Sequence, residues 1–332
     1  MTSKYAAAHA SPKGPGDARP TALQIIKDEG LEGKLTDEVI FITGCSSGLG
    51  IETARALLKT GATLYLTARN PEKARSALKD VLDLSQVHLL TLDLSSLASV
   101  RACAAEFLSK SKTLKILINN AGVMATPEGR TADGFETQFG TNHLGHFLLF
   151  HLLKPALLAS STPTFHSRVI IVSSSMHRAS KVQFDNINFE GNYDPWKAYG
   201  QSKTALIWTA NEIERRYGVR GLHSFSLHPG GISSGLQQHV PQELMERWGK
   251  DTTLTSYFKS AEQGAATTVW AAVAKELEGQ GGRYLEDCQI SKPWDPKTGD
   301  MGQGHSTWAY DNEGEEKLWA KSLELVGLKS ND

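Results

Sequence analysis

The sequence predicts an α/β protein with one doubly wound parallel sheet of about seven strands and helices on both faces. Two observations lead to this prediction. Short β-branched runs alternate with longer helical patterns along the 332 residues. Two of the runs, EVIFIT and RVIIVSS, are continuously apolar, as expected for strands buried on both faces. Such alternation requires crossover connections, and therefore indicates a single Rossmann-type sheet.

The boundaries of the predicted elements follow from capping and turn residues. Asn70 followed by Pro71 is an N-cap with proline in the first turn. Gly61 suits the end of the preceding helix, and Ser95 or Ser96 can cap the following one. The predicted strands occupy residues 38–43, 63–67, 87–94, 114–119, 168–174 and 222–228, with a weaker seventh at 282–287.

The domain organisation is predicted to be simple. Residues 1–20 are small and polar, with Pro and Gly clustered at 12–20, and predict a flexible N-terminal tail. Residues 21–332 are predicted to form a single Rossmann-type domain. No window approaches the length of apolar sequence that a transmembrane helix needs, and we expect no membrane anchor.

Composition narrows the possible partners and compartment. The chain is 40% hydrophobic and 21% charged, with a formal net charge of −1, which is typical of a globular protein and does not favour nucleic acid as a partner. The odd number of cysteines, 3, has no metal-like spacing. We therefore expect free thiols, no metal site and a cytoplasmic location.

A glycine-rich turn, TGCSSGLG, follows the first predicted strand and opens the first helix of the sheet. Glycine permits a tight turn and a close approach of the backbone to a pyrophosphate, while the helix N-terminus supplies free N–H groups. Hydroxyl groups in the turn add further donors. The candidate phosphate-binding residues are Gly44, Ser46, Ser47, Gly48, Leu49 and Gly50.

The end of the second strand predicts which dinucleotide binds. A site that reads a free 2′-hydroxyl places a carboxylate here, whereas this chain has Ala68 and Arg69 in the sequence LTARN. A guanidinium suits a 2′-phosphate. NADP(H) is therefore predicted in preference to NAD(H). The alternative is that Arg69 is only a solvated residue before a helix.

Five motifs in fixed order identify a family resemblance. TGCSSGLG, NNAG at 119–122, VSS at 172–174, YGQSK at 199–203 and HPGG at 228–231 together resemble the short-chain dehydrogenase/reductase family over about residues 36–290. The stretch NHLGHF at 142–147 and the long spacing between the serine and the tyrosine resemble the branch of retinol dehydrogenases and their WW-domain-linked relatives.

The candidate catalytic residues combine spacing with this resemblance. Lys203 lies four residues after Tyr199, so both share one helix face, and a nearby ammonium lowers the pKa of a phenol toward the working range. The resemblance implies Tyr199 as general acid/base, Lys203 as its partner on the nicotinamide ribose, and Ser174 as the substrate-orienting hydroxyl. It also implies that Asn142 helps to hold a water for proton relay.

The resemblance also implies the remaining cofactor contacts. Asp93 matches the residue that bonds adenine, although it can equally be a capping carboxylate, and Asn119 matches a residue that stabilises the sheet. Ser234 takes the place of a threonine that bonds the nicotinamide amide. The cofactor-binding residues expected beyond the glycine turn are Arg69, Asp93, Leu94, Asn120, Ala121, Gly122, Tyr199, Lys203, Pro229, Gly230, Gly231 and Ser234.

Three segments are expected around the substrate: an insertion at 176–197, a lid at about 233–260 and a C-terminal extension at about 288–332. Their apolar candidates for a pocket wall are Met176, Trp196, Trp248, Tyr257 and Phe258. These side chains favour a lipophilic or aromatic carbonyl compound.

The predicted function is an NADP(H)-dependent oxidoreductase that interconverts a carbonyl and an alcohol on a small molecule. Two alternatives are left open: an epimerase or dehydratase on the same scaffold that moves hydride only transiently, and a non-enzymatic NADPH-binding sensor. The oligomeric state is left open between a homodimer and a monomer.

Overall fold

The structure is a computed structural model that describes residues 3–299 and 301–329. Within these ranges the strands are β1 (Val39–Ile42), β2 (Thr63–Ala68), β3 (Val87–Thr91), β4 (Ile116–Asn119), β5 (Ser167–Val172), β6 (Leu222–His228), β7 (Gly231–Ile232), β8 (Phe258–Lys259), β9 (Arg283–Glu286) and β10 (Gln289–Ile290).

The helices lie on both sides of the sheet and in the connecting segments. Over the described residues every helix is too short or too polar to span a lipid bilayer. The α-helices are α1 (Ala6–His9), α2 (Ala22–Asp28), α3 (Leu49–Leu58), α4 (Pro71–Ala77), α5 (Leu97–Lys110), α6 (Gly145–Ser160), α7 (Pro195–Tyr217), α8 (Gln242–Lys250), α9 (Thr252–Tyr257), α10 (Ala261–Gly264), α11 (Ala266–Val273) and α12 (Asn312–Leu325).

The main sheet confirms the predicted fold class. Its strand order is β3-β2-β1-β4-β5-β6-β9-β10, and its paired neighbours from β3 to β9 are parallel. All seven predicted strands are present. The prediction of about seven misses an eighth, β10, which pairs antiparallel with β9. A strand of two residues is too short to produce a sequence pattern.

Each face of the sheet packs against its own layer of helices. Successive strand residues point to opposite faces: Ile40 and Ile42 lie in the core shared with α2, α3, α4 and α11, whereas Phe41 lies in the core shared with α5, α6, α7 and α12. This double coverage explains why the central strands read as continuous apolar runs.

The predicted helix boundaries are largely confirmed. The Asn70 side chain accepts a hydrogen bond from the Lys73 N–H at 3.0 Å, with proline in the first turn. Ser96, rather than Ser95, caps α5 by accepting from the Ser99 N–H. Gly61 has φ 85° and closes the turn that follows α3, as the sequence predicts.

The N-terminal segment, predicted to be a flexible tail over residues 1–20, makes specific contacts with the domain. Its described part, 3–20, contacts the domain through Arg19, which is only 4% exposed. The Arg19 guanidinium donates to the carbonyl oxygens of Tyr257 at 2.9 Å and Phe258 at 2.6 Å, and Asp17 balances its charge at 2.8 Å. Composition could not predict this, because one arginine and distant carbonyl groups hold the segment in place.

Candidate active site

A large cavity, of about 1120 Å³, lies where the parallel strands end. Its walls come from the residues that follow β1, β2, β3, β4, β5 and β6. Ligands in open α/β sheets bind at this edge. The volume exceeds the range of roughly 300–1,000 Å³ found for small-molecule sites, so the cavity has room for two ligands side by side.

Most of the residues selected from the sequence line this cavity. Among the predicted catalytic residues, Ser174, Tyr199 and Lys203 line it, whereas Asn142 lies behind the wall. Among the predicted cofactor residues, all but Gly50 line it; they are Gly44, Ser46, Ser47, Gly48, Leu49, Arg69, Asp93, Leu94, Asn120, Ala121, Gly122, Tyr199, Lys203, Pro229, Gly230, Gly231 and Ser234.

The glycine turn is shaped as the sequence predicts, with one correction. Gly44 and Gly48 have φ of 77° and 63°, which favour glycine. Gly48 precedes α3 without a side-chain cap, so first-turn N–H groups stay available for an anion. Gly50 does not line the cavity. A Cβ there would lie 2.3 Å from Gly44 O, so its role is to let α3 pack against the turn.

Asn120 and Thr43 tie the glycine turn to the loop after β4. The Asn120 Nδ2 donates to Thr43 O at 2.8 Å, and Thr43 Oγ1 accepts from the Asn120 and Ala121 N–H groups at 2.9 and 3.0 Å. Asn119 was expected to stabilise the sheet, yet its buried Oδ1 has no hydrogen-bond partner in the described part of the chain. The bracing amide is therefore Asn120.

Two cationic side chains line the cavity next to the C-terminal end of β2. Arg69 follows β2 and is exposed, and Lys73 on α4 lines the same cavity. The sequence prediction named only Arg69. The sequence did not predict that Lys73 lines the cavity, because an exposed lysine on a helix is usually a solvated residue.

Tyr199 lies on α7 and is only 3% exposed. It belongs to an apolar cluster with Met124, Ala125 and Val240. Burial raises the pKa of Tyr199 to about 12, although a hydrogen bond with the Ser174 side chain lowers it in part. The phenol is therefore protonated at neutral pH, as a proton donor must be.

Lys203 lies beside Tyr199 on α7. Its Nζ is 5.4 Å from the centre of the Tyr199 ring and donates to Val172 O at 2.9 Å. Burial lowers the pKa of Lys203 to about 7, so it carries only part of its charge at neutral pH. The pKa of Tyr199 is raised overall by burial, and the hydrogen bond with Ser174 is the interaction that lowers it in part, so a lowering of the Tyr199 pKa by Lys203 stays a prediction.

The three serines after β5 separate by direction. The Ser173 Oγ donates to Lys203 O at 2.8 Å. The Ser175 N–H donates to His228 Nδ1 at 3.2 Å. Ser174 is the serine whose hydroxyl meets the Tyr199 phenol, and it also accepts from the Met176 N–H at 3.1 Å.

Asn142 sits in a π-helical turn, Phe139–Leu144, just before α6, which fits the disturbed helix that the resemblance implies. Its side chain accepts from the Val123 N–H at 2.8 Å and donates to Val123 O and to Ser202 Oγ. Its carbonyl oxygen accepts from His146 Nδ1 at 2.8 Å. Asn142 thus holds the loop after β4 against α7.

A small two-stranded sheet joins the two ends of the expected lid segment. β7 pairs with β8 in parallel, which brings residues 231–232 against 258–259. Ser234, predicted to contact the cofactor, caps the next turn by accepting from the Leu236 N–H at 3.3 Å and also lines the cavity. Lys259 Nζ donates to Pro229 O at 3.1 Å and Asp287 Oδ1 at 2.6 Å.

The wall around Tyr199 is apolar and aromatic. Trp196 and Trp248 meet edge to face, with ring centres 6.3 Å apart, and Met176 packs in the same cluster. Phe258 also lines the cavity, but Tyr257 does not and is 39% exposed. Further lining residues without an earlier prediction are Met124, Thr141, Arg178, His228, Trp294 and Met301. Most lie outside any recognisable motif.

The anchoring of β8 by Arg19 leads to a first prediction. Arg19→Ala removes the guanidinium that pairs with Asp17 and donates to two carbonyl oxygens, at a cost of about 1.5–3 kcal/mol for charged hydrogen bonds. We expect faster amide hydrogen exchange and faster proteolysis at residues 250–260, together with a lower kcat/KM. Arg75→Ala, at an exposed position on α4, is the control. Unchanged exchange at 250–260 contradicts the anchoring role.

Comparison with known proteins agrees with this geometry. The family model described as short chain dehydrogenase matches residues 38–244. The short-chain dehydrogenase/reductase prx1 of Penicillium roqueforti is 54% identical over 325 residues, which cover 98% of this chain and 95% of that protein. Retinol dehydrogenase 12 of Homo sapiens is 38% identical over 299 residues, which cover 89% of this chain and 88% of that protein. The similarity thus extends beyond the segment that the family model matches.

A solved structure shows the same architecture. The crystal structure of an uncharacterized protein from Mycobacterium paratuberculosis superimposes with a TM-score of 0.69 at 32% sequence identity, and the match covers 94% of this chain and 99% of that chain.

Proposed function

Because the chain belongs to the short-chain dehydrogenase/reductase family, we propose that it is an NADP(H)-dependent oxidoreductase that interconverts a carbonyl and an alcohol on a lipophilic or aromatic small molecule. The observation that carries the proposal is that Ser174, Tyr199 and Lys203 line the same cavity as the glycine turn.

The residues of the cavity fit a dinucleotide. Uncapped N–H groups at the start of α3 suit a pyrophosphate. The buried Thr141 Oγ1 lines the cavity and has no hydrogen-bond partner within the described residues, so it is available to a polar ligand. When bound, the nicotinamide supplies or accepts a hydride at the carbon of the substrate. Ser46, Ser47 and Asn120 would hold the phosphates and the adenosine ribose.

Tyr199 moves the proton in this proposal. Its phenol is protonated at neutral pH because burial raises its pKa to about 12, and Ser174 lies next to it to hold the substrate oxygen. As negative charge develops on that oxygen, Tyr199 donates its proton. Lys203 then stabilises the phenolate when its own ammonium is charged.

Arg69 and Lys73 are proposed to select NADP(H) over NAD(H). Arg69→Ala removes a charge-assisted contact with the 2′-phosphate worth about 1.5–3 kcal/mol. We expect KM for NADPH to rise roughly 10- to 100-fold, with KM for NADH nearly unchanged. Initial rates with each cofactor measure the ratio, and Arg75→Ala controls for loss of surface charge. If Arg69→Ala raises both KM values equally, Arg69 does not read the phosphate.

The substrate class is tested with a panel of ketones and aldehydes and loss of NADPH absorbance. The apolar wall of Met176, Trp196 and Trp248 favours aromatic and long-chain carbonyl compounds over polar sugars. We expect kcat/KM to increase with the apolar surface of the substrate. Turnover without net NADPH consumption supports an epimerase or dehydratase instead. Binding of NADPH with no turnover across the panel supports a sensor.

A further inference from the structure

A second convergence of polar side chains lies at the edge of the sheet opposite the cavity, where β5 and β6 begin. His166 precedes β5, His223 is in β6, and Glu278 follows α11. His166 Nδ1 is 3.0 Å from His223 Nε2 and 2.8 Å from Glu278 Oε1. In the part of the chain that the structure describes, this is the one group of three whose ligand atoms all lie within 4.8 Å of one another.

Glu214, on the side of the ring away from His166, determines the tautomer of His223. Glu214 Oε1 lies 3.0 Å from His223 Nδ1, and Glu214 Oε2 accepts from the Ser224 N–H at 3.1 Å. A carboxylate in this place takes the Nδ1–H, so the Nε2 lone pair of His223 faces His166. Gly281 makes room for that carboxylate, because a Cβ at residue 281 would be 1.8 Å from Glu214 Oε2.

The arrangement leaves two acceptors for one proton. With the His223 Nε2 lone pair facing His166, the His166 Nδ1–H lies between two acceptors, His223 Nε2 and Glu278 Oε1, of which Oε1 also accepts from the His166 backbone N–H at 2.9 Å. Hydrogen bonds weaken steeply as they bend, so one N–H satisfies both acceptors poorly. A cation in place of that proton accepts lone pairs from all three side chains.

Glu278 is prepared to act as a ligand. Its Oε1 accepts from the His166 backbone N–H at 2.9 Å, which orients the carboxylate toward the two histidines. Arg168 Nη2 binds the second oxygen, Oε2, at 2.8 Å. Oε1 is therefore held facing the histidines, 2.8 Å from His166 Nδ1.

We propose that His166, His223 and Glu278 bind a divalent transition-metal ion, with Zn²⁺ the preferred ion and solvent completing a tetrahedral site. Two imidazoles and one carboxylate are ligands that Zn²⁺ accepts, and Glu214 is the outer carboxylate that orients a ligating histidine. The His223 side chain is 7% exposed, whereas that of His166 is 30% exposed. The ion can therefore enter from solvent past His166.

The proposed site joins three separate segments. It links the start of β5, the start of β6 and the residues after α11, on the side of the sheet away from Tyr199. We therefore assign it a structural role. Binding is expected to raise the thermal unfolding temperature while leaving proton transfer at Tyr199 unaffected.

The test uses full-length protein without an affinity tag, treated with a chelator and titrated with Zn²⁺ by calorimetry and with Co²⁺ by visible absorption. We expect one ion per chain, the visible bands of tetrahedral Co²⁺, and an increase in unfolding temperature. His166→Ala and Glu278→Gln remove ligands and are expected to abolish the Co²⁺ bands. Glu214→Gln is expected to weaken Zn²⁺ binding by roughly 10- to 100-fold.

His88→Ala is the matched control, because His88 is a half-exposed histidine on β3 that packs on Tyr65. It is expected to bind Zn²⁺ as the wild type does. The proposal is overturned if the wild type binds no stoichiometric ion, or if His166→Ala and Glu278→Gln fold normally by circular dichroism and bind Zn²⁺ with unchanged affinity. Failure of this test leaves the proposed oxidoreductase function untouched, since the readouts involve no turnover.

Discussion

Tyr199→Phe is expected to lower kcat for carbonyl reduction by about 10²–10⁴-fold, the range that a positioned general acid supplies. The substitution keeps the ring that packs against Met124 and Val240 and removes only the ionisable hydroxyl. The KM for NADPH is expected to change little, because the lost interaction acts in the transition state. Steady-state rates and direct NADPH binding by fluorescence measure the two effects separately.

Tyr65→Phe is the matched control for this substitution. Tyr65 is also buried, but it lies on β2 in the core shared with α5 and packs edge-on against Phe107. It is expected to keep wild-type kcat. If Tyr199→Phe retains full turnover while Tyr65→Phe behaves as the wild type does, Tyr199 is not the proton donor.

Lys203→Met is expected to abolish turnover and at the same time to stabilise the fold. Burial lowers the pKa of Lys203 from 10.5 to about 7, so the folded protein binds the lysine proton more weakly than the unfolded chain does. This weaker proton binding lowers the free energy of unfolding. The loss is fully present below pH 7, decreases as the pH rises from about 7, and vanishes above about 10.5. A shift of this size corresponds to about 5 kcal/mol.

Methionine fills most of the same volume without a charge to bury. Loss of the hydrogen bond from Nζ to Val172 O destabilises the variant by about 1–3 kcal/mol and offsets part of this gain. We therefore expect Lys203→Met to increase the free energy of unfolding by about 2–4 kcal/mol at pH 6, and less at pH 9.

Urea unfolding at both pH values measures the change in stability. Lys197→Met, on the exposed side of α7, is the control and is expected to show neither the stabilisation nor the loss of turnover. A Lys203→Met protein that is less stable than the wild type at pH 6 is incompatible with a costly buried ammonium.

The sequence was sufficient for the fold because its signals are local. Continuous apolar runs such as residues 168–174 can only be strands covered on both faces, and Asn70 with Pro71 marks the start of α4. The resemblance to the short-chain dehydrogenase/reductase family, close to its retinol dehydrogenases, is confirmed by full-length relatives. The oligomeric state stays a prediction.

The remaining features depend on contacts between residues distant in sequence. Arg19 holds residues 257–258. The pKa of Tyr199 rises because α8 and the loop after β4 bury it. The cluster of His166, His223 and Glu278 has no sequence motif, since its members lie on three separate segments.

Within the site, residue type was easier to predict than role. Gly50 was assigned to the cofactor because it completes the glycine pattern, but its hydrogen atom faces Gly44 O. Asn119 and Asn120 are adjacent and identical, and only the alternation of side chains at the end of β4 determines which of them braces Thr43. Such distinctions require coordinates.

The most direct measurement is a single turnover with NADPH that carries deuterium on the transferred C4 position, followed by mass spectrometry of the product from an aromatic ketone. The account predicts one deuterium on the new carbinol carbon for every NADPH oxidised, and a much slower rate of the same labelling with Tyr199→Phe. An alcohol product without deuterium, or a substrate that is converted while NADPH stays reduced, contradicts it.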